Sequence, residues 1–325
     1  MDISAKQIAA QAGDAAARIA DIVCETPLQR SATLSAALGA EVYCKLENLQ
    51  HTGSFKLRGA SNALMSLSPG QRDAGCVTAS SGNHGAAVAC AMRQLNIDGV
   101  IFVPEKTSSA KVDAIRGYGG DVRFFGTDGL DTEQHARQFA ADNNMFYVSP
   151  YNDVSVISGQ ATCGIEIAGQ LPDVDAAFIA VGGGGLISGV GSVLKAHNPQ
   201  LQLFGCQPEA SAVMAHSVEA GRILDLPSEA TLSDGTAGGI EPGAVTFALC
   251  QELVDDFVLV SEDEIAAAMR AYMAVEKQLI EGAAGVALAA LMKRKDEVSG
   301  LKVVVIICGG NISKGKLDMV SVSKD

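Results

Sequence analysis

One lysine in this sequence stands in a setting that suits covalent chemistry. Lys56 directly follows Phe55 in KLENLQHTGSFKLRGA (residues 45–60), behind a small polar run made of Thr52, Gly53 and Ser54. An amine that is desolvated enough to stay nucleophilic can form an imine with an aldehyde. A surface lysine needs no such setting, so the stretch raises the possibility of a catalytic amine, which spacing alone leaves open.

The stretch AFIAVGGGGLISGVGSVLKAH (residues 177–197) predicts an anion site. A buried strand ends at Val181 and a helix begins near Leu186. Four glycines lie between them, namely Gly182, Gly183, Gly184 and Gly185. Unobstructed amides and the partial positive charge of a helix N-terminus favour a phosphate there. A tight turn with close backbone packing is the structural alternative.

A nicotinamide dinucleotide site is the main rival for this loop. The third place of a GxGxxG fingerprint falls on Ile187, and the next strand ends in Gln207 rather than in an acid for a ribose hydroxyl. A Walker loop is excluded because no GK[ST] follows. The loop therefore favours a small phosphorylated cofactor over a dinucleotide, and a nucleotide-binding dehydrogenase remains the alternative outside this class.

A second junction, VTASSGNHGAAVACAMRQL (residues 77–95), suits a carboxylate. Its polar residues come after a strand and before a helix that opens at Gly85, and they are Ser80, Ser81, Asn83 and His84. Free amides, hydroxyls and an amide side chain at a helix start bind carboxylates well. Helix capping by the same residues is the alternative. A third junction, VVVIICGGNISKGKL (residues 303–317), is either a plain turn or a cofactor-facing loop.

The elements that must position these junctions alternate along the chain. Runs predicted as strands are 41–46, 75–80, 99–104, 121–125, 176–181, 202–207 and 302–308. Runs predicted as helices are 84–96, 109–119, 132–143, 159–171 and 262–280, with an amphipathic helix in residues 1–23. This order predicts an α/β protein with parallel sheets covered on both faces, whose ligands bind beyond the carboxyl ends of the strands.

Composition limits the partners and the compartment. The 325 residues carry a formal net charge of −13, which argues against nucleic acid or an anionic membrane as partner. No apolar run reaches the ~20 residues that span a bilayer, and the N-terminus lacks a signal-peptide pattern, so we expect a cytoplasmic protein. The eight cysteines form no CxxC pair, which indicates reduced thiols rather than a zinc site.

Five motifs together resemble the fold-type II pyridoxal-phosphate (PLP) enzymes, and specifically the threonine/serine dehydratase and serine racemase family. They are KLENLQHTGSFKLRGA, SSGNHG, GGGGLISG, IEGAAGVALAA and CGGNI, in this order along nearly the whole chain. The resemblance implies two open twisted α/β domains with the cofactor in the cleft between them. It places residues 1–68 and 152–325 in a large PLP-binding domain and residues 69–151 in a small substrate-clasping domain.

The resemblance also implies a role for each motif residue. Lys56 would form the Schiff base with PLP, Phe55 would pack against the pyridine ring, and Asn83 would hydrogen bond to the ring hydroxyl. The phosphate would be held by the backbone of Gly182, Gly183, Gly184, Gly185 and Leu186. The substrate carboxylate would be held by the loop that carries Ser80, Ser81, Asn83 and His84. Cys308 stands where relatives have a serine near the pyridine nitrogen, and a neutral thiol there leaves that nitrogen largely unprotonated.

The activity implied is α,β-elimination from a 3-hydroxy amino acid, giving a 2-oxo acid and ammonia. Lys56 would take the α-proton, and Ser81 lies where racemising relatives place an opposite-face acid/base, so a serine or amino-acid racemase is an alternative. The cation site of the racemases is altered, with Gln207 and Val213 at the usual acidic places. Glu209 or backbone carbonyls could hold a monovalent or divalent cation, but we assign no metal ligand. Relatives are often dimers, so a homodimer is expected by analogy.

Several departures from the family pattern bear on the substrate. Ser149, Tyr151 and Ala161 replace the usual histidine, asparagine and glycine before and within GQGT, and Gly238 and Gly239 make room near the substrate side chain. Thr132 stands near where relatives that take dicarboxylates have an arginine, which argues against an acidic side chain, and a hydroxyaspartate dehydratase is kept as an alternative. These features resemble the branch with phenylserine dehydratase and hydroxyectoine-utilisation dehydratase. We therefore expect a bulky 3-hydroxy amino acid ahead of threonine or serine.

Overall fold

The computed structural model describes residues 3–321 and contains two sheets. The strands are β1 Leu28–Arg30, β2 Glu41–Lys45, β3 Cys76–Ala79, β4 Gly99–Val103, β5 Asp121–Phe124, β6 Phe146–Tyr147, β7 Ala176–Ala180, β8 Gln202–Pro208, β9 Asp256–Val260 and β10 Lys302–Ile306. The predicted alternation of strands and helices is confirmed, because parallel strands need crossovers and helices supply them.

Fifteen helices in residues 3–321 link and cover these strands. They are α1 Ala5–Ile19, α2 Ala32–Leu38, α3 Lys56–Met65, α4 Pro69–Ala74, α5 Asn83–Leu95, α6 Ser109–Gly117, α7 Gly129–Asp142, α8 Val154–Gln170, α9 Gly185–His197, α10 Val213–Glu219, α11 Val245–Leu253, α12 Glu262–Glu276, α13 Gly282–Lys293, α14 Lys295–Val298 and α15 Lys314–Ser321.

The larger sheet has six strands in the order β1-β2-β10-β7-β8-β9. All neighbours are parallel except β1 and β2, and Val304 on β10 pairs with Tyr43 on one side and Ala177 on the other. The central strand β7 is buried along its whole length. A strand buried on both faces must be apolar throughout, and its sequence AAFIA is.

The smaller sheet has four parallel strands in the order β5-β4-β3-β6, and all of them lie between residues 76 and 147. The domain bounds 69–151 stay a prediction. Helix α3 packs its apolar side chains into the same core as α5 and β4, with Leu57, Ala60 and Leu64 among its members. The helix that begins at Lys56 therefore packs against the core of the second sheet.

Three strands, six helices and several helix ends differ from the sequence prediction, and the helices that were not predicted are α2, α4, α10, α11, α13 and α14. β1, β6 and β9 were not predicted, and β1 and β6 have only three and two residues, too few to show a period. The predicted helix 262–280 ends at Glu276, because Lys277 takes the left-handed conformation with φ of 57°. The predicted N-terminal helix is confirmed as α1, capped by Ser4 and Gln7; residues 1 and 2 lie outside the described part.

The eight cysteines are all free thiols, and only Cys24 is not fully buried. Among residues 3–321, no helix combines the length and the apolar character that a membrane span requires. The carboxyl ends of β3, β7 and β10 carry the three junctions that the sequence singled out.

Candidate active site

Lys56 is the first residue of helix α3. Its ammonium nitrogen Nζ donates to the carbonyl oxygen of Pro150 at 2.8 Å and lies 5.2 Å from the centre of the Phe55 ring. Burial lowers the pKa of Lys56 to about 8, against the opposing effect of Cys308 and Glu281. An amine with a pKa this low is partly neutral near pH 8, as a nucleophilic lysine must be.

The glycine loop joins β7 to α9 without any side-chain cap. Gly184 has φ of +87°, a conformation that favours glycine, and forms the N-cap of α9. Among the turn and loop bonds of the described residues, none uses the amides of Gly182 to Gly185. Unused amides at the start of a thirteen-residue helix form a site for a phosphate or another anion.

Tyr151 connects the glycine loop to Lys56. A Cβ atom added at Gly183 would overlap the Tyr151 ring, so the ring packs directly on the loop backbone. The Tyr151 hydroxyl accepts from the backbone N–H of Glu241 at 2.9 Å. Because Tyr151 follows Pro150, whose carbonyl holds Lys56, the lysine and the anion loop lie at the same place in the cleft.

The serine–asparagine loop after β3 faces the same cleft through Asn83. The Ser80 hydroxyl accepts from the Gly82 N–H at 3.2 Å and so shapes the loop, whereas no described group bonds to the Ser81 hydroxyl. His84 is buried, and its Nε2 lies 3.0 Å from the Val148 carbonyl, which requires a proton on that nitrogen. Burial lowers the pKa of His84 to about 3, with Lys56 as a second cause, so the ring is neutral.

The third junction, after β10, completes the site. The carbonyl of Cys308 accepts from the Phe55 N–H at 3.1 Å, which places the Cys308 residue beside Lys56. Burial raises the pKa of the Cys308 thiol, and the charge of Glu281 adds to this effect, so the thiol is protonated. The predicted site residues on three separate junctions are thus neighbours in the structure.

Glu281 and Asn311 also belong to this site and were not predicted. Asn83 Nδ2 lies 2.9 Å from both carboxylate oxygens of Glu281, and Asn311 Nδ2 donates to Asn83 Oδ1 at 2.8 Å. Both residues stand in motifs that carried the family resemblance, IEGAAG and CGGNI. An acidic residue in an otherwise apolar, glycine-rich run was the signal that could have identified Glu281.

A buried ionic network fixes the helix that carries Lys56. Arg58 Nε donates to Glu47 at 2.7 Å and Nη1 donates to Glu166 at 2.6 Å, while Lys45 donates to Glu166 at 2.5 Å. Arg58, Glu47 and Lys45 are fully buried. The network joins β2, α3 and α8, so Lys56 stands on a rigid support.

The far wall of the cleft carries a charge pair between the two halves of the chain. Arg137 on α7 donates to Glu133 and to Glu241, each at 2.8 Å, and lies over the Tyr147 ring. Thr132, on the same helix, is buried and donates its hydroxyl hydrogen to the carbonyls of Phe125 and Asp128. The hydroxyl hydrogen of Thr132 is therefore already bonded to backbone carbonyls at and before the start of its own helix.

The residues considered for a cation have other partners. Gln207 donates to the Val181 carbonyl at 3.0 Å and accepts from Ala215 N–H at 2.7 Å, and Glu209 lies 3.9 Å from Lys293. Within residues 3–321, no three His, Cys, Asp or Glu side chains form a group that could hold a metal ion.

Comparison with known proteins places the chain among characterised relatives. Residues 19–309 match the family model described as pyridoxal-phosphate dependent enzyme. The chain is 39% identical over 300 residues to an L-threonine ammonia-lyase of Thermotoga maritima, covering 92% of this chain and 74% of that protein. It is 37% identical over 310 residues to the catabolic L-threonine dehydratase of Escherichia coli, covering 95% and 94%.

The chain also superimposes on solved structures of a threonine deaminase and a serine racemase. Threonine deaminase isoform 2 of Solanum lycopersicum, in its processed form, superimposes with a TM-score of 0.93 at 37% identity, covering 97% of this chain and 92% of that one. Maize serine racemase superimposes with a TM-score of 0.90 at 33% identity, covering 96% and 95%.

Proposed function

Because this chain belongs to the fold-type II pyridoxal-phosphate-dependent enzymes and is a lyase of the hydroxy amino acid dehydratase class, we propose that it removes water from a 3-hydroxy amino acid with an uncharged and bulky side chain. The observation that carries the proposal is the position of Lys56. Its amine, with a pKa lowered to about 8, donates to the carbonyl of Pro150, next to Tyr151, whose ring packs on the glycine loop.

The residues of the cleft fit PLP. The unused amides of the glycine loop suit its phosphate, and the Phe55 ring beside Lys56 suits its pyridine ring. The buried hydroxyls of Thr52 and Ser54 have no hydrogen-bond partner within the described residues, as expected for atoms beside a ligand or an ordered water. When bound, PLP supplies an electron sink for the electron pair left at the substrate Cα.

The chain's own residues hold the substrate and move its protons. The amides and hydroxyls of the Ser80–Asn83 loop hold the substrate carboxylate. The Lys56 Nζ, once free, accepts the α-proton, and its lowered pKa leaves it able to do so near pH 8. Loss of the β-hydroxyl as water leaves an enamine, which hydrolyses after release. The sum is R–CH(OH)–CH(NH₃⁺)–COO⁻ to R–CH₂–CO–COO⁻ and NH₄⁺.

The shape and charge of the far wall support an uncharged, bulky substituent. Arg137 is paired with two carboxylates, those of Glu133 and Glu241, so its guanidinium is not available to a substrate side-chain carboxylate. Gly238 and Gly239 are exposed and a Cβ atom at either would meet nothing within 4 Å, so neither residue would block a bulky substituent. L-threonine is the second candidate, because the relatives described above are named for it.

The test is a comparison of kcat/KM for L-threo-phenylserine, L-threonine, L-serine and 3-hydroxyaspartate, with ammonia and 2-oxo acid as products. We expect phenylserine to have the highest value and 3-hydroxyaspartate the lowest. A higher value for threonine would move the assignment to the second candidate. Turnover by the Lys56→Ala variant at the wild-type rate would refute the role of Lys56.

A racemase side activity is supported by Ser81, whose hydroxyl has no partner among the described groups and is partly exposed. A hydroxyl in this state is free to exchange a proton with substrate on the face opposite Lys56. Chiral analysis of residual serine after incubation measures it, and Ser81→Ala should remove the D-enantiomer without abolishing elimination.

A further inference from the structure

A buried carboxyl group lies beside the cleft and takes no part in the proton transfers proposed above. Glu281 precedes α13 and is only 7% exposed. Its backbone N–H donates to the Gly309 carbonyl at 3.1 Å, and the backbone N–H of Asn311 donates to its carboxylate. A carboxylate at this depth needs such partners, and they come from a loop far away in sequence.

The side-chain partner of this carboxylate is Asn83. Asn83 Nδ2 lies 2.9 Å from Oε1 and 2.9 Å from Oε2 of Glu281. On its other side Asn83 Oδ1 accepts from Asn311 Nδ2 at 2.8 Å, and Asn311 Nδ2 also donates to the Thr52 carbonyl at 2.9 Å. The amide of Asn83 therefore has one orientation only, with its oxygen on Asn311 and its NH₂ group on Glu281.

The chain leaves space for this carboxylate at Gly309. A Cβ atom on Gly309 would lie 2.6 Å from Glu281 Oε1 and 2.9 Å from Oε2. Any side chain there would displace the carboxylate from Asn83. The glycine of CGGNI and the glutamate of IEGAAG thus form one packed unit.

The charges that face Glu281 are few. Burial raises the pKa of Glu281 to about 7, and Asp234 raises it further, whereas the Asn83 amide and the Lys56 ammonium act in the opposite direction. The thiol of Cys308 also lies close enough to interact with it. Burial therefore favours the protonated carboxyl group, and the hydrogen bond from Asn83 is the largest influence that favours the carboxylate.

We propose that Glu281 is a positioning residue, which orients the Asn83 amide so that its NH₂ group faces the cofactor. An amide whose oxygen is bound to Asn311 and whose NH₂ is anchored on a carboxylate can present only a hydrogen-bond donor to the ring oxygen of PLP. Without Glu281 only Asn311 holds the amide, so the NH₂ group of Asn83 loses its anchor and is no longer fixed toward the cofactor. This inference rests on the proposed function, since it assumes that Asn83 faces PLP.

The experiment measures the Kd of PLP for the apo-protein, by absorption titration, in Glu281→Ala, Asn83→Ala and the double variant. Both single variants should bind PLP about ten-fold more weakly, the size of one charge-assisted hydrogen bond. The double variant should bind no more weakly than Asn83→Ala. The absorption maximum of bound PLP should shift equally in both single variants, which a merely structural role of Glu281 would not produce.

Glu276→Gln is the matched control, because Glu276 accepts hydrogen bonds from Gln29 and Ser31, away from the cleft. Its affinity for PLP should equal that of the wild type. Wild-type affinity in Glu281→Ala, or losses that multiply in the double variant, would overturn the proposal. Should Glu281→Ala fail to fold, Glu281→Met carries the test: it keeps the size but has no oxygen to accept from Asn83, so we expect about ten-fold weaker binding, while unchanged binding overturns the proposal.

Failure of the proposed function would give a different experimental result from failure of the positioning role. A wild-type protein that binds no PLP overturns both ideas. A wild-type protein that binds PLP and turns over a 3-hydroxy amino acid, but is insensitive at Glu281, overturns the positioning role alone.

Discussion

Replacing Arg58 with methionine should lower the melting temperature by about 6 °C. Arg58 pairs with Glu47, and both side chains are fully buried. Removing the arginine leaves the Glu47 carboxylate without its main partner, a change that costs roughly 3–5 kcal/mol. Unfolding entropy of about 2.1 cal/mol/K per residue gives about 0.7 kcal/mol/K for 325 residues. A loss of about 4 kcal/mol divided by this entropy gives the expected shift.

Differential scanning calorimetry at pH 7.5 measures this shift, with two further variants. Arg30→Met is the control, because Arg30 lies 3.9 Å from Glu41 with both side chains about half exposed, and such surface pairs contribute at most about 1 kcal/mol. The double variant Arg58→Met with Glu47→Gln should recover part of the loss, since no unpaired charge stays at Glu47. An Arg58→Met protein that melts within about 1.5 °C of the wild type, as expected for a loss of about 1 kcal/mol, would refute the reasoning.

Three more outcomes follow from the structure. Gly183→Ala should weaken PLP binding at least ten-fold in an absorption titration, because the added methyl group overlaps the Tyr151 ring. Adding Tyr151→Ala to this variant should restore part of the affinity. An unchanged affinity for PLP in Gly183→Ala would contradict the packing of the ring on the loop. The apo-protein should lose stability as the pH rises from about 4.5 to about 7, by up to about 3 kcal/mol, because the folded state keeps the proton on Glu281 after the unfolded state has released it. Urea titrations measure this slope, which Glu281→Gln should flatten; an equal slope in both proteins would contradict it. A thiol reagent should label Cys24 first and the other seven cysteines only on unfolding, which peptide mass spectrometry of the labelled protein detects, and early labelling of Cys308 would count against its burial.

The strands that the sequence predicts well are those that are buried along nearly their whole length. β7 and β10 are apolar along their length because they are buried on both faces. β9, at the sheet edge, carries an apolar run, FVLV, that was not predicted as a strand, and β6 has only two residues, too few to show a strand pattern. Their pairing depends on the tertiary fold, and propensity alone does not specify it.

The candidate site likewise has parts that the local sequence predicts and parts that it does not. Lys56 and the glycine loop are local signals, since a lysine behind small residues or four glycines after a strand can be recognised within twenty residues. The contact between Asn83 and Glu281 joins positions 198 residues apart, and nothing local to either residue indicates the other. The Tyr151 ring likewise packs on Gly183 only because two junctions meet in the cleft.

The most direct test of the central claim is to locate the lysine that binds PLP. The holoenzyme is reduced with borohydride, digested, and analysed by peptide mass spectrometry for the phosphopyridoxyl group. We expect the group on Lys56, in the peptide that contains SFKLR, and its absence in Lys56→Ala. A modification on another lysine, or none in a protein that has been supplied with PLP, would contradict the assignment of Lys56 and the mechanism that depends on it.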